Sequence, residues 1–301
     1  MNQGPTIGIS VTITAPDGTV REETISPHSI LRPVVVIQDT VPIQDLAKRS
    51  YKPVGQCIYC GLRSKLSSEH IIPYGLSLGG TLVLPDASCS TCASITGRCE
   101  QKVLRGSMRP VRVLRRLRSR SKHAGAPGSA LFKIVRAGIE ETVRLPLDQY
   151  PILLPIPIFP APGYLTGKTG RGIDITGLAT ISYGPRPEEV LQKLGGGSIT
   201  LQTGKDEPAA FARMLAKIAY SYAWGEGALQ KLSGPSLTPS AILGNSDDIG
   251  NWVGTLDGPV QKYPGLLHRL SLHEERGLLI ASVQLFADSE TPSYGVILGS
   301  L

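Results

Sequence analysis

Four of the five cysteines form two short pairs, "CIYC" at 57–60 and "CSTC" at 89–92, with 28 residues between them. A C-x2-C pair lets two thiolates grip one tetrahedral ion, and two such pairs complete a four-sulfur site from Cys57, Cys60, Cys89 and Cys92. Four thiolates leave no open position for water, so Zn2+ there would hold the chain together and do no chemistry. The alternative is four reduced cysteines in an ordinary core. Cys99 has no partner at metal spacing and reads as a small apolar residue. Between the pairs lies "SSEHIIP" at 67–73. An imidazole with a pKa near ~6.5 can take a proton from water at neutral pH, so His70 is a candidate general base. Its structural alternative is a histidine that caps a hairpin or packs beside the metal.

Neighbouring residues on a strand point to opposite faces. Glu69 and His70 therefore converge only where the strand bulges or runs into a turn, and Pro73 and Gly75 make such a turn. The stretch "LSSEHIIPYGLSLGGTLVLPDASCSTC" resembles the HNH nuclease family. It has an acid-His pair, a proline three residues after the His, a Gly-Gly turn, and a C-x2-C that starts a helix. The resemblance covers roughly residues 55–105. A looser likeness, through "FARMLAKIAYSYA", "QLFA" and "YGVILG", extends it beyond the first fifty residues to most of the chain. It implies a β-hairpin followed by a helix around one catalytic divalent ion. In that scheme His70 activates a water that attacks a phosphodiester. Glu69 holds Mg2+ or a similar ion, which stabilises the scissile phosphate and the departing 3′-oxygen.

Two positions depart from the family pattern. Its middle Asn falls at Leu84 and its last metal-binding residue at Ala93, and neither can bind metal. Glu100 lies seven residues after Ala93, two helical turns along the same face. It is the first choice as second metal ligand, with Asp86 behind it. The structural alternative for Glu100 is an ion pair with Arg98, Lys102 or Arg105 on its own helix; for Asp86 it is a turn or cap.

From Arg98 to Lys122 there are ten Lys/Arg and one acid, Glu100, a net +9 on a chain of formal charge +7, so the remainder sums to −2. A block of one sign suggests a local polyanion site. Arg105, Arg109, Arg112 and Arg116 recur at helical steps, opposite an apolar stripe of Leu104, Met108, Val111 and Leu114, with Gly106 and Pro110 interrupting the helix. With Lys102 and Arg115 they form the candidate nucleic-acid contacts. Arginine suits bidentate phosphate binding, and no base-reading motif is visible, so double-stranded DNA bound with little sequence preference is the expected partner.

The elements around this module read as an α+β chain in three segments. Residues 1–50 form an N-terminal β arm with a hairpin at Asp17-Gly18 and a strand "PVVVIQ" at 33–38. Residues 51–125 are the small ββα-metal, HNH-like module with its four-cysteine zinc and basic extension. Residues 126–301 form a larger C-terminal α+β domain. It begins after a linker near 121–130, with a hairpin around Ala137-Gly138. A helix over 207–224 follows, capped by Asp206, its stripe Phe211, Leu215, Ile218 and Tyr222 facing a core. The chain ends in strands at 278–287 and 293–299. Lys217 and the histidines other than His70 suggest no further constellation.

The amino terminus lacks a signal peptide's pattern, and "PILLPIPIFPAP" at 151–162 is broken by five prolines, so no membrane span and a cytoplasmic location are expected. A metal-dependent endonuclease is the leading functional expectation. A non-catalytic zinc module that binds nucleic acid, or a protein-interaction module, is the alternative.

Overall fold

The computed structural model describes residues 9–14, 20–25, 48–79, 82–118, 129–136, 138–146, 149–196, 198–202 and 207–301. The turn at Asp17-Gly18, the strand at 33–38, the linker at 121–128, Ala137 and the cap Asp206 lie outside them.

The chain is mixed α+β. In order its strands and helices are β1 (Ile9–Thr14), β2 (Val20–Ile25), β3 (Arg49–Ser50), β4 (Leu66–His70), β5 (Leu82–Cys89), α1 (Ser90–Arg105), α2 (Arg109–Leu114), β6 (Ser129–Arg136), β7 (Ile139–Pro146), β8 (Ile152–Ile158), α3 (Gly163–Thr166), β9 (Gly177–Tyr183), α4 (Pro187–Lys193), β10 (Ser198–Gln202), α5 (Pro208–Gly225), α6 (Thr238–Leu243), α7 (Ile249–Trp252), β11 (Val253–Thr255), β12 (His268–Glu275), β13 (Leu278–Leu285) and β14 (Ser293–Ser300).

Contacts group the chain into two units, each assembled from three separate stretches: Met1–Thr40, Leu104–Pro155 and Thr180–Glu207; and Val41–Val103, Ile156–Ala179 and Pro208–Leu301. The first holds a five-stranded sheet in the order β2-β1-β10-β6-β7. Within it β1 and β2 pair antiparallel, while β1 runs parallel to β10, with Ile9 opposite Ile199. The N-terminal strands thus share a sheet with residues about two thirds of the way along the chain.

The second unit holds the cysteine pairs. It contains a three-stranded sheet, β3-β5-β4, and a four-stranded antiparallel sheet, β11-β14-β13-β12, against which α5 packs. Pro208 opens α5, where its missing N–H costs nothing. The helix is then apolar on nearly every side and buried along most of its length. Such a helix is held by its surroundings more than by its own propensity. Phe211 meets Tyr294 of β14 edge-on at 5.5 Å between ring centroids, and Phe159 closes the cluster at 6.2 and 5.8 Å from the two. Contacts of this geometry contribute about 0.5–1.5 kcal/mol per pair beyond area burial. The Tyr294 hydroxyl donates to the Pro157 carbonyl at 2.6 Å, so the ring is buried without leaving its polar end unsatisfied.

The far end of α5 is tied to β3. Tyr51 donates to Glu226 at 2.6 Å, and Arg49 both pairs with that carboxylate at 2.8 Å and stacks over the Tyr51 ring at 4.2 Å. Gly225 lies against this ring: a Cβ there would stand 2.8 Å from Tyr51 Cζ. Gly225→Val should force the ring out of place and destabilise the protein by about 1–3 kcal/mol, read as a lowered denaturation midpoint with an unchanged slope.

Candidate functional site

The first knuckle is a tight turn. Cys57 N–H donates to the Leu62 carbonyl at 2.7 Å and Gly61 N–H to the Cys57 carbonyl at 2.8 Å. Gly61 has φ +75°, the left-handed conformation that a chain reversing behind Cys60 requires and that glycine adopts freely. Ile58 N–H bonds to the Ala87 carbonyl at 2.8 Å, which fastens this turn to β5. The second knuckle lies where β5 gives way to α1: Cys89 ends the strand and Cys92 lies in the first turn of the helix. The four sulfurs all lie within 4.8 Å of one another, and Cys60 and Cys89 are 3.7 Å apart. Tetrahedral zinc with bonds of ~2.3 Å needs sulfurs about 3.8 Å apart, so this set suits a metal such as zinc. Cys92 N–H points at the Cys89 sulfur at 3.5 Å, and this bond is the chief reason that the Cys89 thiol is pulled down to about 7. A sulfur poised as thiolate is a better ligand.

Strand β4 carries the Glu-His pair. It runs antiparallel to β5, with Leu66 opposite Cys89 and Ser67 opposite Ser88; beyond an irregularity, Glu69 faces Leu84 and His70 faces Val83. The extra length sits in β5, where Asp86 takes φ +50°. The 3-10 turn Tyr74–Leu76 that follows Pro73 is the turn expected from the sequence, whereas the bulge lies in the neighbouring strand β5 and not in β4. Its outcome is a division of labour. The Glu69 side chain is buried, whereas His70 is half-buried with the Tyr74 ring edge-on at 6.0 Å between centroids. His268 fixes the turn through the Leu76 carbonyl. Its Nδ1 accepts Phe286 N–H at 3.2 Å, so Nε2 carries the proton and donates to the Leu76 carbonyl at 2.7 Å.

Glu69 and Glu100 are brought together, and what they meet is a lysine. The Lys217 ammonium, on α5 and 1% exposed, lies 2.7 Å from Glu69 Oε1 and 3.0 Å from Glu100 Oε1. It also donates to the His70 carbonyl, and more weakly to the Ile71 carbonyl at 3.4 Å. Burial alone pulls this group's pKa down; the charges of Glu100 and Glu69 outweigh it, and the amine stays above the ordinary lysine value. Tyr59, inside the first knuckle, is also buried. Its phenol is held well above the usual range by burial and then by the negative charges of Glu69 and Glu100, so it remains a neutral hydroxyl beside them. One helical turn past Lys217, the Tyr220 hydroxyl donates to the Ile58 carbonyl at 2.9 Å. Helix α5 thus braces both the first knuckle and the end of β4.

Lys217 was not expected in the site from the sequence. The signal was there: a single lysine within "MLAKIAY", on a helix apolar all round, has to be buried and has to find acids. The same geometry bears on the expected Mg2+. An ion with Mg–O distances of about 2.0–2.1 Å does not fit between Glu69 and Glu100 as they stand, because an ammonium holds that point. Leu84 is 1% exposed in the hydrophobic interior. Ala93 is on α1, and Asp86 is exposed and has no part in the acid cluster.

The basic stretch is two helices. The chain breaks after Arg105 and restarts at Arg109 with Pro110 in the first turn of α2, as Gly106 and Pro110 suggested. Lys102, Arg105, Arg109 and Arg116 are exposed. Arg112 instead turns inward: it donates to the Leu104 carbonyl at 2.7 Å and the Arg118 carbonyl at 3.0 Å, linking the end of α1 to that of α2. Arg115 lies over the Tyr183 ring at 5.4 Å. These two therefore have structural employment that helical spacing alone did not reveal. Among the described residues, no helix is long and apolar enough to cross a membrane. Comparison of the chain with family models, curated proteins and solved structures finds no match.

Proposed function

We propose that this chain is a nucleic-acid phosphodiester hydrolase of the HNH type, acting in the cytoplasm on double-stranded DNA with little sequence preference. Zn2+ on Cys57, Cys60, Cys89 and Cys92 is its structural ion, and β4, β5 and α1 are its ββα frame. The observation that carries the reading is the meeting of the Glu69 and Glu100 carboxylates on one cation behind the strand end that bears His70. In this scheme the half-buried imidazole takes a proton from a water molecule as that water's oxygen attacks phosphorus. The bond from phosphorus to the departing oxygen then breaks, and that oxygen takes a proton from solvent water. The acid pair and its cation fix the backbone from which the imidazole projects. Lys102, Arg105, Arg109 and Arg116 are exposed cations that would meet backbone phosphates, a sequence-independent contact that weakens with salt.

The test is plasmid nicking by the zinc-loaded protein. Wild type should nick, and His70→Ala should lose about 10²–10⁴-fold in rate, with zinc content and melting temperature preserved. A wild-type protein that never nicks, with Mg2+, Mn2+, Ni2+ or no added divalent ion, removes the catalytic reading. The second reading, a zinc module that binds nucleic acid without cutting it, is favoured by Leu84 and Ala93, which offer no ligand at two family positions. It predicts salt-sensitive binding that His70→Ala leaves unchanged.

A further inference from the structure

We infer that Lys217 is a built-in substitute for a divalent cation: its ammonium fills an all-oxygen site made by Glu69, Glu100 and the carbonyls of His70 and Ile71. Two carboxylates and two main-chain carbonyls converging on one point are the donor set of a hard cation. An ammonium has three protons, and three close oxygens face it, one each from Glu69, Glu100 and the His70 main chain, with the Ile71 carbonyl further away at 3.4 Å. The match in number and charge type explains how a lysine stays charged at 1% exposure. It also explains the direction of approach. The ion enters from α5, a helix outside the ββα frame, and is tethered by a covalent stem, so its occupancy does not depend on metal concentration.

The charge balance distinguishes this from an ordinary structural ion pair. Two carboxylates and one ammonium leave one negative charge; removing the ammonium leaves two, in a cradle already shaped around a cation. Lys217→Ala should therefore create a divalent-ion site where the wild type has none. This inference concerns cation binding and stands apart from the nuclease reading. Only its corollary, that hydrolysis proceeds with no metal at Glu69, rests on that reading.

The experiment is a Mn2+ titration of zinc-loaded protein, followed by electron paramagnetic resonance and by thermal melting. Wild type should take up no Mn2+ that depends on Glu100. Lys217→Ala should bind at least about tenfold more tightly than wild type, with a raised melting temperature in Mn2+, and Lys217→Ala/Glu100→Gln should lose the gain. If Lys217→Ala folds only when Mn2+ is supplied, that is the same gain read as folding. The inference is overturned if wild type binds Mn2+ and Glu100→Gln abolishes it, or if Lys217→Ala folds and takes up no more Mn2+ than wild type. It is equally overturned if that variant stays unfolded with Mn2+ present, since the ion should restore what the ammonium supplied. Absence of plasmid nicking under every condition counts against the hydrolase and leaves these binding outcomes to be read by themselves.

Discussion

Cys89→Ser is expected to abolish metal binding and to unfold the stretch from the first knuckle to the start of α1. Three thiolates and a hydroxyl make a far weaker zinc site, and the sheet that joins the two knuckles is small. Strand β3 has two residues and β4 has five, and each pairs only with β5 in their sheet. Structural zinc sites have apparent binding free energies of about 10–16 kcal/mol, which is comparable with the whole stability of a domain. If the cysteines were an ordinary reduced core, the same substitution would cost only about 1–3 kcal/mol and leave the fold in place. The two cases separate cleanly. One zinc per wild-type chain, and loss of hydrogen-exchange protection over residues 57–92 in the variant, is the expected result. A metal-free wild type with full protection there refutes it.

The second large effect belongs to Lys217→Met, measured without added divalent ions. Methionine fills the stem's volume but removes the charge, leaving Glu69 and Glu100 to face each other with Tyr59 as a neutral neighbour. Breaking a buried ion pair from one side costs about 3–5 kcal/mol, mostly from the charge left behind. Replacing all three groups, as in Lys217→Met with Glu69→Gln and Glu100→Gln, should recover much of the loss, because no bare carboxylate then remains buried. A single variant as stable as wild type would show that the cluster adds nothing to the fold. The pH dependence has a definite sign. The folded-state pKa of Lys217 lies above its unfolded value of about 10.4. Its contribution is therefore complete below that value and disappears as pH rises through the folded one. Wild type should lose stability in that alkaline window, and Lys217→Met should lose this part of the alkaline slope.

Local pattern revealed what local physics decides. The cysteine spacing led to a four-sulfur cluster, the Glu-His-x-x-Pro run to a strand that ends in a turn, and the apolar stripe around Phe211 to a buried helix. The hairpin after the linker is β6 and β7, and the two closing strands are β13 and β14. What escaped was long-range. Periodicity tells which face of α5 is buried, but not that Lys217 meets a carbonyl 147 residues away. Strand β12, "HRLSLHEE", is too polar to stand out; it pairs along its whole length with β13, and that partner makes it a strand. Reading segments in order along the chain could not anticipate β10, which lies between β1 and β6 and gathers distant stretches into one sheet. Nor could a count of arginines separate Arg112, bonded to two carbonyls, from its exposed neighbours.

The dependence of the acid cluster on α5 has a consequence for biosynthesis. The ribosome completes both knuckles and Glu100 roughly a hundred residues before it adds Lys217. At about 5–20 residues per second the nascent segment waits roughly 5–20 s for its tethered cation. During that interval any zinc already captured would guard the knuckles while Glu69 and Glu100 stand without their partner. Final maturation of the centre is thus postponed to the last third of translation, and a chain stalled before α5 would be metallated yet incomplete.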